Sequence, residues 1–430
     1  MTRPIPILPK TAPLKGSVII VSRHRPGAVA RCITALRQQS YRHIEVIVVA
    51  DPQACAGLVG QRDLKVIAFD AANISAARNM GLAQAAGDIA LFIDDDAVAE
   101  PNWAASLIAA FENPVVVAAT GFVRGRNGIS YQWRASLVDS FGQDHPLDVP
   151  DLLSLHDGDA TLAVKTQGTN CAFRLDALRG IGGFDPAFAF FLDEADVNLR
   201  LAMLGTTAIV PWAQVHHGYM ASARRSAARV PSSLYDIAAS TAVFLRKHIG
   251  AVDSKARARL FDHQMARVAA LHRAGKIDRS KANDLCQTLE QGWQDGLARP
   301  FGDNRPFGGD NGAFHPLEGA GPRESLVIAG RFFSNKALHR AAQSALAQGK
   351  LVTVICMSPT IWRHRMQFLP QGYWWQSGGI WGRADRSARA KLWQGFAARV
   401  AQETQRIAPF RPNDPLGERS ELGPNPLTHL

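Results

Sequence analysis

At 430 residues and about 150 per domain, the chain has room for two or three domains, and 47% apolar composition is enough for packed cores, which excludes a peptide, a fibre or a wholly disordered chain. Its apolar runs, such as Val46 to Ala50 and Val115 to Thr120, fall far short of the roughly 18 residues that cross a bilayer. Forty-eight Lys and Arg against 37 Asp and Glu leave a net charge of +11, which favours anionic partners: nucleotides, phospholipid headgroups, nucleic acid or acidic polysaccharide. Met1 to Lys15 has no apolar core and carries four prolines, unlike a secretory signal, so the chain reads as cytoplasmic. Five cysteines with no short paired spacing argue against a disulfide framework or a zinc site and for reduced thiols.

Ser17 to Val21 reads as a short buried strand, followed by a helical stripe at Val29, Cys32, Ile33 and Leu36. Ile44 to Val49 and Val66 to Phe69 are a second and third strand. A further helix begins near Asn73 or Ser75 with Ile74, Ala77, Leu82 and Ala85 on one face, and Ile89 to Ile93 is a fourth strand. Alternating strands and helices predict a largely parallel sheet covered on both faces, whose ligands gather beyond the carboxyl ends of the strands. After Arg200 the pattern is helical, with helices expected over 254–274 and 279–296. Four prolines and six glycines between Pro300 and Pro322 read as a linker. Leu326 to Ala329 and Leu351 to Cys356, joined by a helix over Asn335 to Gln348, form a second βαβ unit. The expected organisation is a first domain over 1–230, a helical extension over 231–299, the linker over 300–323, a small α/β domain over 324–408 and an unpacked proline-rich tail over 409–430.

The most informative stretch is Leu91-Phe92-Ile93-Asp94-Asp95-Asp96, a buried strand running into three carboxylates before Pro101, where the next helix is expected to start. Adjacent negative charges are costly without a counter-ion. In extended backbone alternate side chains share a face, so Asp94 and Asp96 can converge on one cation while Asp95 points elsewhere. Two carboxylates suit Mg²⁺ or Mn²⁺, with a substrate diphosphate completing the shell. The plainer alternative is a solvated acidic turn.

Several separated segments together resemble the family-two inverting glycosyltransferases, which have the GT-A fold. They are Ser17 to Arg25; Gln39-Ser40-Tyr41 before Ile44 to Val49; Ala76-Ala77-Arg78-Asn79-Met80-Gly81-Leu82; Ala86-Gly87-Asp88 leading to Asp94-Asp95-Asp96; Gly168 to Arg174; Gly182-Gly183-Phe184-Asp185; and Asp193 to Arg200, followed by Val215-His216-His217. The resemblance spans about residues 16 to 225. It implies an α/β nucleotide-diphospho-sugar transferase fold with a mixed, mostly parallel sheet, and transfer of a sugar from a nucleotide-diphosphate donor to an acceptor hydroxyl with inversion.

On this resemblance Asp94 and Asp96 hold the metal, with His216 as a further ligand and His217 left open as its alternative, and Glu194 is the catalytic base with Asp193 as second candidate. Ser22, Asp51, Arg78, Asp94 and Asp95 face the donor, and Asn170 and Asp196 face the acceptor. Each role has a structural alternative: Asp193 as a helix cap and Glu194 as a partner of the helix dipole, Asp196 as part of that cap, His216 and Asn170 as hydrogen-bonded groups near the site, Ser22 as a turn hydroxyl and Arg78 as a surface charge. Ala50-Asp51-Pro52-Gln53 departs from the family's usual acidic pair followed by Gly-Ser, and Val21 and His24 replace a common proline and asparagine. Gly182-Gly183 reads as a tight turn.

The expected acceptor is a saccharide or lipid-linked saccharide, in polysaccharide or glycoconjugate synthesis, and nucleic acid is not expected as a partner. Ten Lys or Arg and three Asp between Arg246 and Lys281 are either a solvated helix face or a peripheral contact with the anionic inner face of a membrane. Five of nine tryptophans, at 362, 374, 375, 381 and 393, fall in the small domain, where they pack its core or stack on sugars. Two rival readings remain: a haloacid-dehalogenase-like phosphatase using Asp94 as nucleophile, and a non-catalytic sugar-binding scaffold.

Overall fold

The computed structural model describes residues 12–218, 226, 230–250, 252, 254–309, 312–387 and 393–411. Its strands are β1 (Gly16–Ser22), β2 (Ile44–Ala50), β3 (Leu64–Ala68), β4 (Ile89–Asp94), β5 (Ala97–Ala99), β6 (Val116–Arg124), β7 (Tyr131–Trp133), β8 (Ser136–Asp139), β9 (Asp144–Pro146), β10 (Ser154–His156), β11 (Leu162–Val164), β12 (Cys171–Arg174), β13 (Thr206–His217), β14 (Ser325–Arg331), β15 (Leu351–Ser358), β16 (Arg365–Phe368) and β17 (Trp374–Gly379). The helices are α1 (Pro26–Leu36), α2 (Pro52–Ala56), α3 (Ile74–Gln84), α4 (Trp103–Ala110), α5 (Leu175–Gly180), α6 (Asp193–Ala202), α7 (Tyr235–His248), α8 (Ser254–Arg273), α9 (Arg279–Ala298), α10 (Asn335–Ala347) and α11 (Phe396–Ile407).

The main sheet runs β10-β13-β6-β12-β4-β1-β2-β3. β1 is parallel to β2 and β4, and β2 to β3, while β12 is antiparallel to both β4 and β6. Strand alternation divides the core in two. Val18, Ile20, Val46 and Val48 pack on one face against Cys32, Leu36, Trp103 and Leu107, and Ile19, Ile47 and Phe92 pack on the other against Ala77, Leu82, Leu178 and Val197. Each such side chain, taken fully out of water, contributes about 1.5–3 kcal/mol. The helix expected from Pro101 starts two residues later, at Trp103, whose indole N–H is drawn into the core by Asn170 (2.7 Å). All five cysteines are unpaired, and among the described residues no helix is long and apolar enough to cross a membrane.

Helices α7 to α9 share a core built on Leu245, Leu289 and Trp293. The Gly/Pro-rich segment that follows has no helix or strand among its described residues, yet it lies pinned to the first domain. Gly302 N–H donates to Asp185 (2.8 Å), Leu317 N–H to the Ile44 carbonyl (2.8 Å) and Gly321 N–H to the Gln39 carbonyl (2.7 Å).

β14, α10 and β15 form the second βαβ unit, extended to the order β14-β15-β17-β16. This sheet docks on the first domain through residues the sequence placed in an unpacked tail. Phe410 and Arg411 are buried, and Arg411 donates two hydrogen bonds to Glu100 (both 2.8 Å) and one to Thr353 (2.9 Å), with its guanidinium over Trp374 (3.8 Å). The rest of the expected tail, 412–430, lies outside the described residues. Removing one partner of a buried ion pair strands the other charge. Arg411→Met is therefore expected to lower the unfolding free energy by about 3–5 kcal/mol in urea titration, and a loss below about 1 kcal/mol would contradict the docking described.

Candidate functional site

Asp94 ends β4, and a tight turn through Asp95 and Asp96 leads into β5, which pairs antiparallel with the far end of β13: Ala97 lies opposite His217 and Val98 opposite His216. Strand alternation sends the two histidines to opposite faces. His217 Nε2 comes within 3.3 Å of Asp96 and 4.0 Å of Asp94, so that one ligand atom from each of Asp94, Asp96 and His217 lies within 4.8 Å of the others. Gln132 Oε1 lies 3.3 Å from His217 Nδ1, a contact that orients the ring with Nε2 toward the aspartates. Trp133 stacks on the ring (6.0 Å between centroids). Three potential ligand atoms this close together could hold a cation. Asp94, with its side chain 34% exposed, leaves the point open on one side. Burial, reinforced by Asp96, raises the pKa of Asp94 despite the opposing pull of His217.

His216, expected as the metal ligand, is on the wrong face. Its Nε2–H donates to Glu100 (2.8 Å) and its ring packs on Trp374 (4.6 Å). Burial holds it neutral, with a pKa down to about 4. Glu100 stays ionised: burial works to raise its pKa, and Arg411 foremost overrides this. Within this turn Asp95 points away from Asp94 and Asp96, accepting from Ser22 Oγ (2.5 Å) and pairing with Arg25 (2.6 Å). Its burial pushes its pKa up to about 7. Ser22 and Asp95, both expected to face the donor, thus satisfy each other.

Asp51 caps α2, accepting from Gln53 N–H (3.1 Å) and Ala54 N–H (3.2 Å), and also takes His24 N–H (2.6 Å). It is 1% exposed, which does not fit the expected contact with a base or ribose. Asn170 does not fit its acceptor role either: its amide accepts from Trp103 and donates to the Phe122 (3.0 Å) and Ala213 (2.8 Å) carbonyls deep in the core. Asp196 pairs with Arg200 within α6 (2.6 Å), joins α6 to α7 through Lys247 (2.9 Å) and His248 (3.0 Å), and is buried. Gly182 and Gly183 have φ of 81° and 68°, the tight turn expected.

The acid pair sits across Arg78. β12 runs antiparallel to β4 with Cys171 opposite Phe92, so the residues just before it, Gly168 and Thr169, are carried toward the Asp94 end. Arg78, on α3, bonds Asp193, Glu194 (2.8 Å) and the Gly168 carbonyl (3.4 Å), and lies over Phe184 (5.0 Å). It is buried, and its charge answers the two carboxylates instead of an open diphosphate as expected. Asp193 opens α6 at its first helical position, with no side-chain cap on that terminus. Burial and the neighbouring Glu194 charge raise the pKa of Asp193. Burial also works to raise that of Glu194, but Arg78 outweighs it and keeps Glu194 below the usual range. Glu194, with its side chain 19% exposed against 3% for Asp193, is the member a ligand can reach. Among the described residues the non-glycine positions with positive φ are His24 (59°), Phe191 (75°) and Leu192 (64°). His24 follows β1 and the other two directly precede the acid pair, so strained backbone, of order 1–3 kcal/mol each, borders the site.

Sequence reading left His217 as an open alternative and missed Gln132 and Arg25. Arg25 reaches Asp95 and, at 3.7 Å, Asp96, and is one-quarter exposed. Its place directly after the β1 turn was the available signal; Gln132 gave none, because its contact depends on the pairing of β7 with β6.

Residues 17–179 match the family model described as Glycosyl transferase family 2. This stretch is a family-two glycosyltransferase domain. Strand order and family together give the GT-A type of fold. The chain is 28% identical over 186 residues to the glucosyl-dolichyl phosphate glucuronosyltransferase of Haloferax volcanii, covering 40% of this chain and 56% of that protein. It thus spans little more than half the length of that relative. Among solved structures it overlaps GalNAc-T7 crystallised with UDP, GalNAc and Mn²⁺ (TM-score 0.41, 14% identity, 66% of this chain and 56% of that one) and S. aureus TarS (TM-score 0.38, 14% identity, 66% and 55%).

A Cβ added at Gly168 would stand 1.7 Å from Glu194 Oε1 and 2.4 Å from Arg78 Nη2, so only glycine lets the acid pair close on Arg78. Gly168→Ala is expected to cost about 1–3 kcal/mol in chemical denaturation, the scale of overpacking; unchanged stability would mean that this contact is not made.

Proposed function

We propose that this protein transfers a glycosyl group from a nucleotide-diphosphate sugar to an acceptor hydroxyl, inverting the anomeric carbon. The convergence of Asp94, Asp96 and His217 at the carboxyl end of a central strand carries this reading. The family match over the same strand supports it. A divalent ion held there, Mn²⁺ being the better match to one imidazole and two carboxylates, supplies a Lewis acid for the departing diphosphate. Arg25, one-quarter exposed and 3.7 Å from Asp96, would offset phosphate charge. Glu194, kept ionised by Arg78, accepts the proton of the attacking hydroxyl. Asp193 holds Arg78 in place and is not itself the base.

By likeness to the Haloferax volcanii protein, whose name includes a dolichyl phosphate, we favour a lipid-linked saccharide as acceptor. Glycoconjugate or polysaccharide synthesis at the inner face of a membrane follows from that choice. A phosphatase is not favoured, since Asp94 faces Asp96 and His217 as one of three ligands. A scaffold is not favoured either, since it has no use for a buried acid pair that follows the strained backbone of Phe191 and Leu192.

Calorimetric titration with Mn²⁺ should show binding in the wild type, its loss in Asp96→Ala and His217→Ala, and its retention in His216→Phe. Equal affinity in all four proteins would overturn the metal assignment. With a donor identified by thermal shift, Glu194→Gln should keep donor binding while turnover falls by about two to four orders of magnitude. Because Glu194 is held below its usual range of about 4.3, its ionised form persists through neutral pH. The acid limb of the wild-type rate should therefore lie below about pH 4.5, and a limb near neutrality would assign the base elsewhere.

A further inference from the structure

The net charge of the chain is concentrated in one place. Residues 324–411 hold thirteen Lys or Arg and three Asp or Glu, so the small C-terminal sheet and its helices account for most of the +11. The three acids do little to balance it at the carboxyl ends of β14, β15 and β17. Glu324 lies beside Lys350, at the strands' amino ends (3.2 Å). Glu403 is buried between Arg399 and Arg406 (3.0 and 2.9 Å). Asp385 accepts from Ser387 N–H (2.8 Å).

The same carboxyl edge carries exposed apolar side chains. Phe332 and Phe333 follow β14 with Phe333 74% exposed, Ile361 and Trp362 follow β15 with Trp362 71% exposed, and Trp393 is 98% exposed ahead of α11. They form one edge: β14 and β15 end in register, as do β15 and β17. The Trp362 carbonyl accepts from Gly379 N–H (2.9 Å), and Trp381, beyond β17, donates to the carbonyl of Gln394, next to Trp393 (3.1 Å). Exposed Arg331, Arg363 and Arg383 flank these side chains. Trp374 and Trp375, by contrast, are core residues.

We propose that this edge is a docking face for an anionic lipid bilayer, with the aromatic and aliphatic side chains entering the headgroup boundary and the arginines meeting lipid phosphates. Charge complementarity favours an acidic partner, and large apolar side chains standing clear of the surface beside the arginines favour one with an apolar interior. The basic stretch over 246–281 is less suited. Arg246 is committed to backbone carbonyls of Gly296 and Arg299, Lys247 to Asp185 and Asp196, and Arg257 to Glu290.

The direction of the strands connects this face to the candidate active site. α1 leaves the carboxyl end of β1 and ends near Gln38, which donates to the Gly372 carbonyl just before β17 (2.5 Å). Past β17, Arg386 N–H donates to Ser130 Oγ in the loop after β6 (3.0 Å). β17 therefore runs the same way as β1, β4 and β6, and the docking edge points to the side on which Asp94 and Glu194 open. This deepens the proposed function and rests on it for the identity of the acceptor, but vesicle binding needs no turnover to be observed.

The test is sedimentation of the full-length protein with vesicles of phosphatidylcholine alone or with about one-third phosphatidylglycerol, in low and high salt. The wild type should bind the anionic vesicles and not the neutral ones, and salt should weaken binding. Phe333→Ser with Trp362→Ser, both at exposed positions, should weaken the partition at least about tenfold. Arg363→Glu with Arg383→Glu should abolish the preference for anionic lipid. Absence of vesicle binding, equal binding to both vesicle types, undiminished binding by both double variants, or binding to an acidic polymer but not to vesicles would each overturn the proposal. Thermal shift with Mn²⁺ and nucleotide sugars on the same preparations separates the two readings. A donor shift without vesicle binding removes the docking face and leaves the transferase reading, and vesicle binding without any donor shift does the reverse.

Discussion

A buried carboxylate needs a cation or a proton, and this requirement organises the molecule. Asp95 is answered by Arg25, Glu100 by Arg411, the Asp193–Glu194 pair by Arg78, and Asp196 by Arg200 and Lys247. Apart from Arg200, four residues along the same helix from Asp196, each of these partners ties one element to another that is distant in sequence. Asp94 and Asp96 also converge on a histidine, one oxygen of each lying within 4.8 Å of a ring nitrogen of His217, with Arg25 3.7 Å from Asp96. The catalytic proposal adds a divalent ion to this cluster.

The Glu100 ion pair extends that logic across domains. Glu100 follows β5 directly, and β5 aligns His217 with Asp96. Arg411, near the end of the described chain, bonds Glu100, Thr353 of β15 and the face of Trp374 together. The C-terminal sheet is thus built against the segment that follows the Asp94–Asp96 turn, with Trp374, Met366 and Phe368 packed on Val98. The carboxyl edge of the same sheet bears the arginines and exposed aromatics.

Much of the architecture was legible from periodicity, because strands buried on both faces and amphipathic helices leave strong local patterns: β1, β2, β4, α3, α10 and β15 lie within a residue or two of their expected bounds. The divergence of Asp95 from Asp94 and Asp96 was expected from strand alternation, but it arises in a turn beyond the end of β4. What could not be read was register. Only the pairing of β13 with β5 decides that His217 and not His216 faces the aspartates, and only the approach of α3 to α6 turns Arg78 from a donor contact into the partner of the acid pair. Asn170 and Asp196 are polar residues in a family-like setting whose partners, Trp103 and Lys247, are remote in sequence. The short strands β7 to β11 gave no signal because three or four residues carry too little alternation. The burial of Phe410 and Arg411 was hidden by the prolines around them.

Anomalous diffraction from crystals grown with Mn²⁺ and a nucleotide diphosphate tests the central claim most directly. The account predicts one strong manganese peak within bonding distance of Asp94, Asp96 and His217 Nε2, with the diphosphate on its open side and the Glu194 carboxylate facing the same cavity. A nucleotide bound with no metal at these three residues, or with the ion held by His216 and Glu100, would contradict it.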